Sequence, residues 1–221
     1  MGARPKGRFI SFEGGEGAGK STQVRLLAAK LRKAGLSVVE TREPGGTPGA
    51  EAIRSLLVTG DHDKWDPMTE ALLHVAARHE HVGNKIEPAL KAGKWVISDR
   101  FADSTMAYQG YAQRLGRAAM TALGKLALGG FKPDLTIILD IPPKVGLARA
   151  HDRHAAKRGA EIEDRYERMG DAFHKKLRAA FRDIAKREPR RCKLVDASGS
   201  PDEVATAVWK LVSKRFAKEL A

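Results

Sequence analysis

Residues 9–22 read Phe-Ile-Ser-Phe-Glu-Gly-Gly-Glu-Gly-Ala-Gly-Lys-Ser-Thr, and this stretch decides the fold. Its first part, residues 9–12, is apolar apart from one serine and predicts a short buried strand. Residues 20–34 carry apolar side chains at helical spacing and predict an amphipathic helix. The loop between them has the spacing G-x-x-x-x-G-K-[ST] of a phosphate-binding loop, or P-loop. The matching positions are Gly14, Gly19, Lys20 and Ser21.

The residue types in this loop suit the binding of a nucleotide polyphosphate. Glycine lets backbone N–H groups approach phosphate oxygens that a Cβ atom would keep away. We expect Lys20 to reach the β- and γ-phosphates and the Ser21 hydroxyl to bind Mg²⁺, while the following helix points its positive end at the same anion. The residues expected to bind the nucleotide are Gly14, Gly15, Glu16, Gly17, Ala18, Gly19, Lys20, Ser21 and Thr22.

The length and composition limit the classes of protein to which the chain can belong. The chain has 221 residues, a formal charge of +13 and a single cysteine, Cys192. This length predicts one domain over residues 1–221, and one cysteine allows no intrachain disulfide. Because no apolar run reaches membrane-spanning length and no signal-type region follows the basic N-terminus, we expect a cytoplasmic protein without membrane association. The charge fits an enzyme with polyanionic substrates, and without a recognition motif no specific nucleic-acid binding is expected.

Short apolar segments alternate with helical patterns along the chain. The predicted strands are residues 9–12, 36–41, 94–98, 135–140 and 193–196. This alternation predicts a three-layer α/β/α fold with a five-stranded parallel sheet, of the P-loop NTPase type. Functional residues then gather at the carboxyl ends of the strands. The P-loop, the loop at residues 42–47 and the pair Asp99-Arg100 should therefore converge on one cleft.

Three further stretches resemble the bacterial thymidylate kinases. They are Thr-Arg-Glu-Pro-Gly-Gly-Thr at 41–47, the pair Ala77-Arg78, and Asp-Arg-Phe-Ala-Asp-Ser-Thr-Met-Ala-Tyr-Gln-Gly at 99–110. The resemblance implies a fold of the nucleoside monophosphate kinase type with a helical lid. It also implies transfer of the γ-phosphoryl group of ATP to dTMP, giving dTDP and ADP, with Mg²⁺ as cofactor. Members of this family are usually homodimers packed through helices.

The resemblance also implies the residues that bind dTMP. Arginines suit phosphate because they bind it through two parallel hydrogen bonds. The residues expected to bind dTMP are Glu16, Glu43, Arg54, His74, Arg78, Arg100, Ser104, Thr105, Tyr108 and Gln109. Among them Glu16 matches the position near the sugar 3′-hydroxyl, and His74 stands where the family commonly has a base-stacking phenylalanine. Alternative roles remain open: Arg54 as a solvated helix charge, Tyr108 as a packing residue, His74 as an ordinary helix histidine.

The sequence also offers candidates for metal ligands and for catalytic cations. Ser21 and Asp99 are the candidates for Mg²⁺, with Asp140 a weaker one, and the role of Glu13 is open. Family members carry an additional catalytic arginine in the P-loop or in the lid, and this P-loop has none. The lid is expected at residues 149–168, which contain Arg149, Arg153, Arg158, Arg165 and Arg168. The catalytic residues expected are Lys20, Arg100, Arg153 and, next by position, Arg149.

Two other functions fit parts of the sequence. One is a P-loop kinase acting on a different nucleoside monophosphate, against which the Tyr-Gln-Gly at residues 108–110 argues. The other is a nucleotide-binding regulator or nucleic-acid-associated ATPase, suggested by the positive charge. The second predicts salt-sensitive DNA binding and ATP hydrolysis without an acceptor.

Overall fold

A five-stranded parallel sheet forms the centre of the molecule. The structure is a computed structural model that describes residues 7–61, 63–155 and 165–220, with side chains omitted for 153–155. The strands are β1 (Phe9–Glu13), β2 (Val38–Arg42), β3 (Trp95–Asp99), β4 (Leu135–Asp140) and β5 (Cys192–Asp196). Their order is β2-β3-β1-β4-β5, and all four neighbouring pairs are parallel. The predicted α/β fold with its five-stranded parallel sheet is confirmed.

Helices follow the strands and cover both faces of the sheet. They are α1 (Lys20–Lys33), α2 (Pro48–Val58), α3 (Pro67–His81), α4 (Glu87–Lys91), α5 (Ala102–Thr105), α6 (Arg117–Leu128), α7 (Pro143–Ala155), α8 (Asp171–Arg187) and α9 (Pro201–Arg215). Among the described residues, no helix has the length and apolarity needed to cross a membrane. The central strand β1 is buried at every residue, as is usual for a parallel strand covered on both faces.

One predicted helix is divided. The pattern from residue 67 to about 90 predicts a single long helix, but the structure has α3, a π-helical turn at Val82–Ile86, and then α4. Pro88 in α4 has no N–H to donate to the preceding turn, and the backbone adopts a wider register before it, in which the Glu87 N–H bonds to Val82 O. A second π-helical segment, Met106–Ala112, follows α5 and carries Tyr108 and Gln109.

Candidate active site

A cavity of about 930 Å³ lies at the carboxyl edge of the sheet. Its wall combines the P-loop with residues that follow β2 and β3, among them Glu43 and Arg100. Parallel strands bring their carboxyl ends to the same edge, which is why loops distant in sequence meet here. The convergence predicted from the sequence is therefore observed.

The P-loop packs so closely against β4 and α7 that glycine is required in it. Gly14 has φ +134°, and a Cβ there would lie 2.4 Å from the carbonyl oxygen of Leu139. Gly17 has φ +63°, and a Cβ there would lie 1.8 Å from the carbonyl oxygen of Gly146 in α7. A side chain at either position would collide with backbone that cannot move aside. The loop is thus held in one shape between its neighbours.

Lys20 is oriented across the mouth of the loop. Its Nζ donates to the carbonyl oxygens of Gly14 at 3.2 Å and Gly15 at 2.8 Å. Burial, followed by the nearby charge of Arg100, lowers the pKa of Lys20 to about 8. A buried ammonium that lacks a carboxylate at hydrogen-bond distance in the described structure is poised to attract an anion.

Arg100 is the centre of a second cluster. Its Nη2 donates to Glu16 Oε1 and to the Tyr108 hydroxyl, both at 2.9 Å, and its Nη1 donates to Gly14 O and Ser104 Oγ, both at 3.1 Å. The Tyr108 hydroxyl also donates to Glu16 Oε1 at 2.5 Å. Burial opposes the ionisation of Glu16, but the charges of Arg100 and Lys20 outweigh it and lower its pKa to about 2. The cluster joins the P-loop to the segment after β3.

The backbone of Arg100 is unusual, and Glu13 stabilises it. Arg100 has φ +72°, which is rare for a residue other than glycine. The Glu13 carboxylate accepts from the Phe101 N–H at 2.8 Å and from the Ser104 hydroxyl at 2.6 Å. Burial and the charge of Asp103 raise the pKa of Glu13 to about 8. Glu13, whose role the sequence leaves open, thus anchors the turn that presents Arg100.

Glu43, at the cavity wall, is held by two partners. Arg78 Nε donates to Glu43 Oε2 at 2.7 Å, and His81 Nδ1 donates to Glu43 Oε1 at 3.0 Å. Arg78 Nη2 donates in addition to Phe101 O at 3.1 Å and Thr105 Oγ1 at 3.0 Å. Glu43, expected among the dTMP ligands, is therefore positioned to orient Arg78. The sequence analysis missed His81, although it lies one helical turn after Arg78.

Aromatic residues from two distant segments face each other in the cavity. His74 Nε2 and the Tyr166 hydroxyl share a hydrogen bond of 2.9 Å. The Tyr166 ring packs edge-on against Tyr108, with the ring centroids 5.3 Å apart. The sequence analysis missed Tyr166, which is placed 92 residues from His74 and belongs to no recognisable motif. The cavity also exposes Gln109 and Thr105 to a ligand.

His74 should not make base binding pH-dependent. Burial and the charges of Arg78 and Arg100 lower the pKa of His74 to about 3, so the imidazole is neutral at every pH used for assays. Replacing His74 by phenylalanine should change the KM for dTMP only a few-fold and leave the shape of its pH profile between roughly pH 5 and 8 unaltered. Steady-state kinetics across this range measure both quantities. If the KM for dTMP of the wild type changed near pH 6.5 and that of the variant did not, His74 would not be neutral as stated.

Of the remaining expected ligands, Arg54 and Arg149 also line the cavity, whereas Arg78 is buried and is not among the described residues that line it. Arg54 donates to Pro44 O at 2.7 Å and lies at the cavity wall, so it is not merely a solvated charge. Arg149 donates to Ala197 O at 3.0 Å and Ser198 O at 3.1 Å, on the loop after β5. This geometry places Arg149 beside the 196–199 loop.

Of the later arginines in the expected lid, Arg165 is buried and Arg168 is exposed. Arg165 is fully buried and forms an ion pair with Glu70 at 2.5 Å. Arg168 donates to Gly60 O at 2.6 Å. The backbone of Arg153 lies in α7, while its side chain and all of Arg158 lie outside the described residues.

The possible ligands of a metal ion are hard oxygens. The Ser21 hydroxyl and the Asp99 carboxylate both line the cavity beside Lys20. Within the described ranges, no cluster of three or more His, Cys, Asp or Glu side chains is placed to hold a metal. This donor set fits Mg²⁺, which usually takes one or two protein oxygens and completes its shell with phosphates and water. Asp140, the weaker candidate, is bound by Arg178 at 2.7 Å and by Arg182 at 3.2 Å.

Comparisons with known proteins agree on one family. The family model described as thymidylate kinase matches residues 12–208. The chain is 54% identical over 212 residues to the thymidylate kinase of Rhodopseudomonas palustris strain TIE-1, covering 96% of this chain and 90% of that protein. It is 52% identical to the thymidylate kinase of Caulobacter vibrioides, covering 96% and 98%. The crystal structure of thymidylate kinase from Ehrlichia chaffeensis superposes with a TM-score of 0.74 at 34% identity, covering 95% of this chain and 99% of that one. The chain belongs to the thymidylate kinase family, as the sequence motifs predicted.

Proposed function

We propose that this chain transfers the γ-phosphoryl group of ATP to dTMP in the cavity described above. One observation carries the proposal: Arg100 bonds both the P-loop and the segment that holds Tyr108 and Gln109, so a phosphate donor and a pyrimidine acceptor share one cleft. Family membership makes the chain a kinase, that is, an ATP-dependent phosphotransferase. A role in nucleotide synthesis follows, and we place the enzyme in the cytoplasm.

In the reaction, an oxygen of the dTMP phosphate attacks the γ-phosphorus of ATP. The bond from that phosphorus to the β–γ bridging oxygen breaks, and ADP leaves. The protein contributes positions and positive charge more than covalent chemistry. Lys20 neutralises the β- and γ-phosphates, while Arg54, Arg78 and Arg100 supply charge on the acceptor side.

Further residues are assigned to the metal ion and to the sugar and base of dTMP. Ser21 and Asp99 would hold Mg²⁺, which supplies charge neutralisation at the β- and γ-phosphates when bound. Glu16 stays ionised because its pKa is about 2, and it would accept a hydrogen bond from the sugar 3′-hydroxyl. Tyr108, Ser104, Thr105 and Gln109 would enclose sugar and base, with His74 against the base plane.

The lid and the quaternary structure belong to the same proposal. Residues 1–221 would form a single kinase domain, with the lid at about 149–168 closing over ATP. Helix α7 packs against the P-loop at Gly146 and contains Arg153, which we assign as the catalytic lid arginine, with Arg149 on the adenine side.

A homodimer would bury apolar side chains that α2, α3 and α6 expose. These are Leu56, Met68, Leu72 and Leu126, which are 42%, 38%, 49% and 86% exposed. Exposed aliphatic side chains on neighbouring helices are typical of a protein interface.

A coupled assay of ADP release tests the function directly. ATP and Mg²⁺ are offered with dTMP, dUMP, dCMP, dGMP, AMP and UMP in parallel reactions. We expect dTMP to give the highest kcat/KM. Turnover with a different monophosphate would reassign the acceptor, and ADP release without any acceptor would favour an ATPase.

A further inference from the structure

Glu70 of α3 is a buried carboxylate whose polar partners come from distant parts of the chain. Its Oε1 accepts from Gln109 Nε2 at 2.6 Å and from Gln113 Nε2 at 2.9 Å. Its Oε2 lies 2.5 Å from Nη1 of Arg165, and both Glu70 and Arg165 are fully buried. The reaction as derived above gives this cluster no task.

These contacts fix the orientation of the Gln109 amide. An ionised carboxylate only accepts hydrogen bonds, so the Gln109 nitrogen must face Glu70. The Gln109 oxygen is then turned elsewhere, and it is buried without a hydrogen-bond partner among the described residues. Gln109 is 1% exposed and is one of the residues that line the cavity. A buried acceptor of this kind favours a ligand that brings a donor.

We propose that Glu70 is a positioning residue for base specificity, which holds Gln109 with its carbonyl oxygen towards the pyrimidine. This inference rests on the proposed function, because it takes dTMP as the acceptor. Thymine and uracil carry an N–H at ring position 3, whereas cytosine has an unprotonated nitrogen there. An acceptor fixed at that edge pairs with the first two bases and repels the third. Glu70 thus selects between base classes without touching the substrate.

Arg165 makes the substitution Glu70→Gln informative. The guanidinium only donates, so the oxygen of the new glutamine at position 70 must turn to Arg165, and its NH₂ group then faces Gln109. Gln109 must respond by turning its own oxygen to that NH₂ group. Its nitrogen then points into the cavity, where it presents a donor in place of an acceptor. The change inverts the hydrogen-bond preference of the pocket while keeping the volume of the side chain.

The experiment compares kcat/KM for dTMP, dUMP and dCMP in wild type and in Glu70→Gln. We expect the dTMP-to-dCMP ratio to fall by roughly tenfold or more. The dTMP-to-dUMP ratio should stay within twofold, because those two bases share the edge that Gln109 reads. A purely structural defect would lower all three values together and leave both ratios unchanged.

Two further variants serve as controls. Gln113→Met removes a partner of the same carboxylate oxygen, but Gln113 is absent from the described residues that line the cavity, so both ratios should be kept. If Glu70→Gln does not fold, the double variant Glu70→Met with Arg165→Met removes both buried charges and leaves Gln109 free to turn. Its dTMP-to-dCMP ratio should also fall.

The outcomes separate this inference from the proposed function. An unchanged dTMP-to-dCMP ratio in a folded Glu70→Gln protein, or in the double variant, overturns the role of Glu70 while the kinase assignment stands. Wild-type protein that does not use dTMP overturns the proposed function itself. The inference would also be overturned if the dTMP-to-dCMP ratio fell as far in Gln113→Met as in Glu70→Gln, because the effect would then not pass through Gln109.

Discussion

Replacing Lys20 by alanine should lower kcat by roughly 10²- to 10³-fold, the loss measured when one preorganised electrostatic donor is removed from an active site. The buried ammonium bonds to Gly14 O and Gly15 O across the mouth of the P-loop, so its charge is already in place before ATP arrives. Alanine leaves the loop glycines intact but removes that charge. Steady-state kinetics with saturating ATP and dTMP measure the change. Lys33→Ala, at the exposed end of α1, is the matched control and should retain wild-type kcat.

Lys20 should also make kcat/KM for ATP depend on pH. Burial lowers the pKa of Lys20 to about 8, so the ammonium loses its proton as the pH rises through that value. A neutral amine no longer attracts phosphate, so kcat/KM for ATP should fall above about pH 8. This parameter reports the free enzyme, whereas bound ATP favours the charged form and should shift the fall in kcat to higher pH. Lys20→Arg cannot titrate in this range, and an identical fall in its residual activity would show that another group is responsible.

Replacing Arg100 by lysine should lower kcat/KM for dTMP by roughly 10²-fold although the charge is retained. The planar guanidinium donates to four oxygens at once, on Gly14, Glu16, Ser104 and Tyr108. A lysine amine cannot span the P-loop and the segment after β3 with the same fixed geometry. The substitution should therefore loosen Glu16 as well as the phosphate site.

Two measurements separate this effect from general damage to the protein. Calorimetric binding of ATP alone should change little in Arg100→Lys, while binding of dTMP weakens. Arg182→Lys is the control, because Arg182 pairs with Asp140 and is 57% exposed. Wild-type kcat/KM for dTMP in Arg100→Lys would remove Arg100 from the acceptor site.

Most of the described residues that line the cavity lie in or beside the sequence motifs. The P-loop, the 41–47 loop and the 99–110 segment each contain their expected site residues within a dozen positions, and each lies at the carboxyl end of a strand. Local sequence is sufficient in such cases because the residues that act together are bonded neighbours on one strand–loop–helix unit. Strand β4 has the predicted bounds for the same reason, since its signal is local.

Side-chain partners could not be predicted, because they depend on which segments the fold brings together. Arg165 belongs to the segment expected to form the lid, yet it lies buried beside Glu70 and donates to Leu57 O across 108 positions of sequence. Glu43 is expected to bind dTMP, and its partners Arg78 and His81 come from α3, which the sequence of its own loop does not indicate.

The sequence by itself determined the parallel sheet, the phosphate loop and the family, because hydrophobic periodicity and contiguous motifs encode them locally. The tertiary structure alone decided that Glu13 anchors the turn of Arg100, that Tyr166 meets His74, and that Glu70 orients Gln109. Each of these contacts joins side chains that are dozens of positions apart. A buried polar group takes whichever complementary partner the packed helices and strands bring within about 3 Å, and only the completed fold sets that distance.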